Sequence, residues 1–260
     1  HGRDYENTSV QHYKELWKRG IPVDIIDQTA DFAGYKLIVA PMLYLVRPGT
    51  AEKLESFVEK GGTLVITYFS GMVDENDLCF LGGFPGPLRK IIGVWVEETD
   101  TLYEYDENYV TACENNELDL SGEYRTAGVC ELVHPETASV LAVYKDDFYA
   151  GRAALTVNSF GSGKVYYMAF KNNDDFLTAF YGRLIERIKP LKAVDADLPE
   201  GVTAQLRTDG EREFVFLMNF ATEERCVNIG GKGFKDVLTG ESVINEIRLQ
   251  KYGFRILERL

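Results

Sequence analysis

Residues 1–190 predict an open α/β sheet, and residues 195–260 predict a small antiparallel β domain. Three observations carry this reading. Over the first seventy residues, continuously apolar runs of strand length alternate with segments of helical period. From Val94 onward the runs become strand-like, and one helical stripe closes them. A segment rich in proline and acids, PLKAVDADLPEG at 190–201, then precedes a set of short strands punctuated by turn residues.

Each element has its own signal. Tyr5 to Arg19 reads as a helix, with Val10, Tyr13 and Trp17 at three- and four-residue spacing, Leu16 beside them, and Gly20 to stop it. His12 is expected on its exposed side. VDII (23–26) and KLIVAP (36–41) are continuously apolar, as strands buried on both faces are, and TLVITYF (63–69) is a third such run. Between them, Pro48 to Glu59 predicts a helix with Leu54, Phe57 and Val58 on its inner face, ended by Gly61-Gly62. Pro87 to Ile92 suits a short helix. Strands are expected at 94–98, 126–133, 139–144, 152–160 and 164–170, with Gly161-Ser162-Gly163 turning the last two into a hairpin. His134, before Pro135, is expected in a turn. Asp175 to Ile188 places Phe176, Phe180, Leu184 and Ile188 on one helical stripe, and Pro190 cannot continue it. TAQLRT, EFVFLMNF, CVNIG, KDVL, SVINEI and YGFRILE supply the small β domain, which is near the lower size limit for folding alone.

Composition narrows function. The chain has 260 residues, 45% of them hydrophobic and 27% charged, as a globular protein has. Its net charge of −13 repels phosphate backbones and anionic lipid, so neither nucleic acid nor a membrane surface is an expected partner. No apolar run reaches the ~20 residues that cross a bilayer. The four cysteines, Cys79, Cys113, Cys130 and Cys226, form no CxxC pair and suit a reducing, cytoplasmic compartment. Cys130 reads as a small buried hydrophobe. No metal or cofactor is expected.

The stretch SGMVDENDLCFLGGFPGPL (70–88) concentrates glycines, prolines and acids after the third buried strand, so it is the place to look for chemistry. A calcium loop fails there because Leu78 and Cys79 stand where a third oxygen ligand and a glycine are required. A nucleophile elbow fails because Tyr68 and Phe69, not Gly-x, precede Ser70. Elsewhere, Gly161-Ser-Gly-Lys-Val lacks the leading glycine and the trailing hydroxyl of a P-loop, with Asn158 and Val165 in those places. The 41 acids do not single out a glycosidase pair by spacing, and alternating aromatics such as Tyr166-Tyr167 and Phe214-Phe216 read as core. No catalytic constellation emerges from the residues.

Three stretches carry a resemblance: DYENTSVQHYKELWKRGIPVDII (4–26), GGTLVITYFSGMVDENDLCFLGGFPGPLRKIIGVWVEE (61–98) and NSFGSGKVYYMAF (158–170). They resemble the family-42 β-galactosidases, most specifically in the SG-VDE-D-CFLGG-PG-LR string, and the likeness extends over essentially the whole chain. The resemblance implies a flavodoxin-like, class I glutamine-amidotransferase-like domain over 1–190 that mediates trimer formation, then a small β domain over 195–260. It implies that both catalytic glutamates belong to a TIM barrel upstream of this sequence, so no residue here inherits either role, and that the parent hydrolyses terminal β-galactosides. Amidotransferase-like relatives carry a cysteine nucleophile on the turn that corresponds to Tyr68-Phe69-Ser70-Gly71, where this chain has none. The 70–88 loop is then expected to face another subunit or the barrel. Phe69, Met72, Phe84, Pro85 and Leu88 would be its apolar contacts, Ser70 would open it, and Asp74, Glu75, Asp77 and Arg89 would form a polar rim. Two other readings stay open: a stand-alone degenerate hydrolase, and a carbohydrate-binding module using Tyr252, Phe254 and Phe234.

Overall fold

A computed structural model describes residues 4–231 and 233–260. Contacts group the chain into two compact units. One comprises the residues up to His12 and Ile26–Lys189, and the other comprises Tyr13–Ile25 and Pro190–Leu260.

In chain order, the first part holds α1 (Tyr5–Trp17), β1 (Leu37–Ala40), α2 (Thr50–Glu59), β2 (Thr63–Thr67), α3 (Arg89–Ile92), β3 (Val94–Thr101), β4 (Asn108–Ala112), β5 (Glu123–Thr126), β6 (Val129–Pro135), β7 (Ser139–Tyr144), β8 (Ala153–Phe160), β9 (Gly163–Met168) and α4 (Asp174–Ile188). A seven-stranded sheet has the order β1-β2-β9-β8-β7-β4-β5, and β3 pairs with β6 in a separate ribbon. Strands β1, β2 and β9 run parallel. The rest of the sheet is antiparallel. All five residues of β2 are buried, as expected of an unalternating run between two covered faces. Leu54, Phe57 and Val58 of α2 join Ile91 and Ile92 of α3 in the core that covers it.

Two strand expectations fail. VDII forms no strand: Ile25 is 88% and Ile26 39% exposed, and β1 is the sheet edge, so no partner strand satisfies that backbone. The run 126–133 is two strands in two sheets, broken at Gly128, whose φ of 94° lies in a region that glycine tolerates. Strand β4 carries no run strong enough to have been expected. The hairpin at 161–163 is present, joining β8 to β9. Its glycines have a tertiary reason as well: a Cβ on Gly163 would stand 2.2 Å from the carbonyl oxygens of Val58 and Gly62.

The second unit holds β10 (Val202–Thr208), β11 (Glu213–Asn219), β12 (Arg225–Asn228), β13 (Phe234–Asp236), β14 (Ser242–Val243), β15 (Glu246–Leu249) and β16 (Phe254–Arg259). Five of these form a sheet in the order β10-β11-β16-β13-β14, and β12 pairs with β15. Its core joins Val202, Val215, Leu217, Ile247 and Leu257 to Ala193 and Val194 from the 190–201 segment before β10. Tyr13–Ile25 complete the unit: Ala193 N donates to Gly20 O (2.8 Å), and Trp17 lies against Phe220, ring centroids 6.1 Å apart. The sixty-residue domain is therefore supported by residues some 180 positions away in the chain, which eases its small size.

Candidate assembly loop and its buried anchor

The 70–88 loop leaves β2 through a sharp turn at Phe69, whose φ is 55°. A non-glycine residue in the left-handed region costs on the order of 1 kcal/mol or more, so the surroundings must hold it there. They do so through Glu131 on β6, which is 1% exposed. One carboxylate oxygen accepts from Phe69 N (2.9 Å), and the other accepts from the Tyr167 hydroxyl. Among the described residues neither partner is a cation. Burial therefore pushes the Glu131 carboxyl up to about 7, with the Tyr167 and Phe69 hydrogen bonds pulling the other way. The Phe69 amide is thus consumed by the chain's own carboxylate.

Ser70 is likewise spent on structure. It is 1% exposed, its Oγ donates to Thr67 O (2.7 Å), and it accepts from Leu43 N (3.0 Å). The loop then folds back on itself. Val73 bridges Cys79, and Phe80 N donates to Met72 O (3.2 Å). Asp74 Oδ1 accepts from Asn76 N (2.8 Å) and Leu78 N (3.0 Å), an Asx turn. A Cβ on Gly71 would sit 2.2 Å from Pro85 O, and one on Gly86 would sit 2.6 Å from the Phe80 ring. The glycines permit close backbone approach rather than cradling a phosphate.

The ten expected surface residues divide accordingly. Glu75 and Asp77 are exposed, and Phe69, Met72, Asp74 and Arg89 are partly so. Arg89 Nε donates to Glu136 Oε2 at 2.8 Å. Phe84 is partly buried against the core and Pro85 is buried. Leu88 is wholly buried in the core, so it and Ser70 shape the loop from inside. Sequence reasoning missed the loop's exposed leucines, Leu78 (63% exposed) and Leu81 (98% exposed). It also missed Glu131, which was hidden inside an ordinary strand run.

Three further expectations need correction. His12 is 2% exposed, because α1 turns that face inward. Its Nδ1 lies 2.7 Å from the Tyr181 hydroxyl, and burial holds its pKa down at about 4. His134 lies in β6, not in a turn; it stacks on Trp95 at 4.9 Å and its Nε2 meets Glu97 Oε2 at 2.5 Å. Phe234 is 2% exposed in the core of the second unit, so it offers no face to a sugar, whereas Tyr252 and Phe254 are 61% and 57% exposed. Cys130 is wholly buried, as a small hydrophobe is. Tyr166 and Tyr167 are core residues too.

A surface recess of about 530 Å³ is lined by Lys36 and Lys53, among others. Lys53 Nζ is spent on Gln28 O and Ala30 O, and Lys36 Nζ on Lys189 O, so these ammonium groups serve the fold. Among the described residues, no group of three His, Cys, Asp or Glu side chains is placed to hold a metal ion. No helix among them is long and apolar enough to cross a membrane.

The fold is a mixed α/β domain with a glycine-shaped loop and a carboxylate-held turn, followed by a small antiparallel β domain. Comparison with known proteins gives the family. Residues 1–191 match the model of the β-galactosidase trimerisation domain, and residues 201–259 match that of the β-galactosidase C-terminal domain. The chain belongs to the family-42 β-galactosidases, as these two domains of them. It is 53% identical over 257 residues to the β-galactosidase Pbg of Clostridium perfringens, covering 99% of this chain and 37% of that protein. It is 47% identical to BglY of Alicyclobacillus acidocaldarius, covering 99% and 38%. The crystal structure of the cold-adapted β-galactosidase from Rahnella sp. R3 superposes with a TM-score of 0.91 at 46% identity, over 99% of this chain and 37% of that one. That of the Bacillus circulans sp. alkalophilus enzyme gives 0.93 at 38% identity, over 99% and 38%. The chain thus spans rather more than a third of the length of these relatives.

Proposed function

We propose that this chain is the assembly and support part of a β-galactosidase whose catalytic glutamates lie in a barrel domain outside these 260 residues. The observation that carries the reading is the pair of domain matches, together with relatives that extend well beyond the chain. The parent hydrolyses terminal β-galactosides, works in the cytoplasm and forms a homotrimer. The domains are 1–190, of flavodoxin-like and amidotransferase-like type, and 195–260. Three parallel strands and the turn at Phe69 support that finer fold assignment. The 70–88 loop belongs to the contact surface. Phe69, Met72, Asp74, Glu75, Asp77 and Arg89 present it, while Ser70, Phe84, Pro85 and Leu88 hold its shape.

Two measurements test this. The chain incubated with a chromogenic β-galactoside shows no turnover above a buffer blank; sustained hydrolysis by the chain alone overturns the scaffold reading. Light scattering of the parent enzyme gives three times the subunit mass, and a strict monomer removes the trimer.

A further inference from the structure

This inference rests on the assembly reading and says which surface meets the neighbour. Two features on and beside the 70–88 loop lack an obvious purpose in a single chain. The first is the pair Leu78 and Leu81, which project from the loop. They do not sit on a slack tip, since the Val73–Cys79 bridge, the Asp74 turn and the Phe80–Met72 hydrogen bond hold the backbone on either side. Solvating a leucine that is 98% exposed forgoes the burial free energy that such a side chain offers a partner. The second feature is on the β3–β6 ribbon. Trp95 is half-buried and stacked on His134, and Glu97 accepts from both His134 and Arg152, the latter at 3.4 Å. A tryptophan, a histidine and an arginine fixed against one another are the side chains that interface centres favour.

The two features are one surface. Val96 N donates to Phe84 O (2.9 Å), which ties the loop to β3, and Gly83 packs so closely that a Cβ there would be 2.9 Å from Trp95 Nε1. Gly83, two residues after Leu81, thus lies directly against the indole. Both features lie inside the residues matched by the trimerisation model. In a ring of three, each contact is heterologous, so this surface meets a different patch of the next copy rather than itself.

We infer that Leu78 and Leu81 of the loop, the Trp95–His134 face of the β3–β6 ribbon and Arg152 beside it form one continuous subunit contact, occupied by a second copy of this chain.

The experiment is sedimentation equilibrium of this chain and its variants Leu81→Asp and Trp95→Ala over a concentration series, with Leu238→Asp as a control on an exposed leucine of the other unit. Circular dichroism melts accompany each, so that a loss of folding is told apart from a loss of association. The expected result is a wild-type trimer, an association weakened at least ~30-fold in both loop and ribbon variants at unchanged melting temperature, and a wild-type-like control. If Leu81→Asp dissociates the trimer and Trp95→Ala does not, the continuous contact is overturned. If both variants remain trimeric with wild-type affinity, this surface is not the contact, although the assembly reading stands. A wild-type chain that stays monomeric at all concentrations, while the parent enzyme is trimeric, places the contact outside these residues and overturns the inference alone. A parent that is itself monomeric removes the assembly reading with it.

Discussion

Two buried ionisable residues dominate the residue scale, and they push stability in opposite directions with pH. His12 has a folded pKa of about 4 against an ordinary 6.5. Between those values the unfolded chain binds a proton that the folded chain does not, so stability falls as pH drops through that window. Glu131 is the reverse, at about 7 folded against 4.5. Between those values the folded chain keeps a proton that the unfolded chain has released, so stability falls as pH rises. Each swing is on the order of 3 kcal/mol. From pH 4.5 to 6.5 the two contributions cancel in the native protein. Glu131→Gln is expected to expose the His12 slope, with urea stability rising from pH 4 to 6.5. His12→Asn is expected to expose the Glu131 slope, with stability falling from pH 4.5 to 7. Urea midpoints of both variants that track the wild type across pH would show that neither residue titrates as described. The glycines make a second residue-scale prediction. Gly71 has φ 66° and no room beside Pro85 O, so Gly71→Ala should cost about 2 kcal/mol or more. Gly82 also has positive φ, but a Cβ there meets nothing within 4 Å, so Gly82→Ala should cost only about 1 kcal/mol. Equal losses in denaturant titrations would refute the close-approach argument. Neither His12 nor Glu131 was legible beforehand: a charged residue in a patterned helix or strand reads as outward-facing until the opposing element is known.

Elements were the most legible level, because their signals are local. β2 announced itself by an unbroken apolar run, α4 by its stripe, and the β8–β9 turn by Gly-Ser-Gly. Helix α4 also has a sound start: the Asn173 side chain accepts from Phe176 N at 2.9 Å, with Asp174 and Asp175 in the first turn. Asn173→Ala should destabilise by about 1 kcal/mol, read as a lowered urea midpoint at unchanged slope. Legibility ended where tertiary pairing decides. VDII has the composition of a strand but no neighbour to pair with. The run around Gly128 has the length of one strand but is divided between two sheets, because a single positive φ redirects it. The composition of 70–88 marks an irregular, glycine- and proline-rich stretch but not which of its apolar side chains are exposed. Leu78 and Leu81 look like core residues by type, and only the Asp74 turn and the glycine contacts show that the backbone carries them outward.

At the scale of the whole molecule, the second unit is built from two distant stretches of chain. Ala193, Val194 and Tyr13–Ile25 belong to it, and a Cβ on Gly20, whose φ is 67°, would stand 3.0 Å from Leu198 Cδ1. A fragment of residues 195–260 should therefore give poorly dispersed amide NMR signals, whereas the full chain gives well-dispersed ones. A native-like spectrum from the fragment would show that the early segment is dispensable. What the sequence by itself determined is the succession of most elements, the family likeness and the mismatch to each familiar catalytic motif. All of these depend on residue type and short-range spacing. What only the tertiary structure decided is which polar groups lie inside, which apolar ones are left outside, and which segment completes the second core. Those depend on contacts between residues tens to hundreds of positions apart, and local patterning does not encode them.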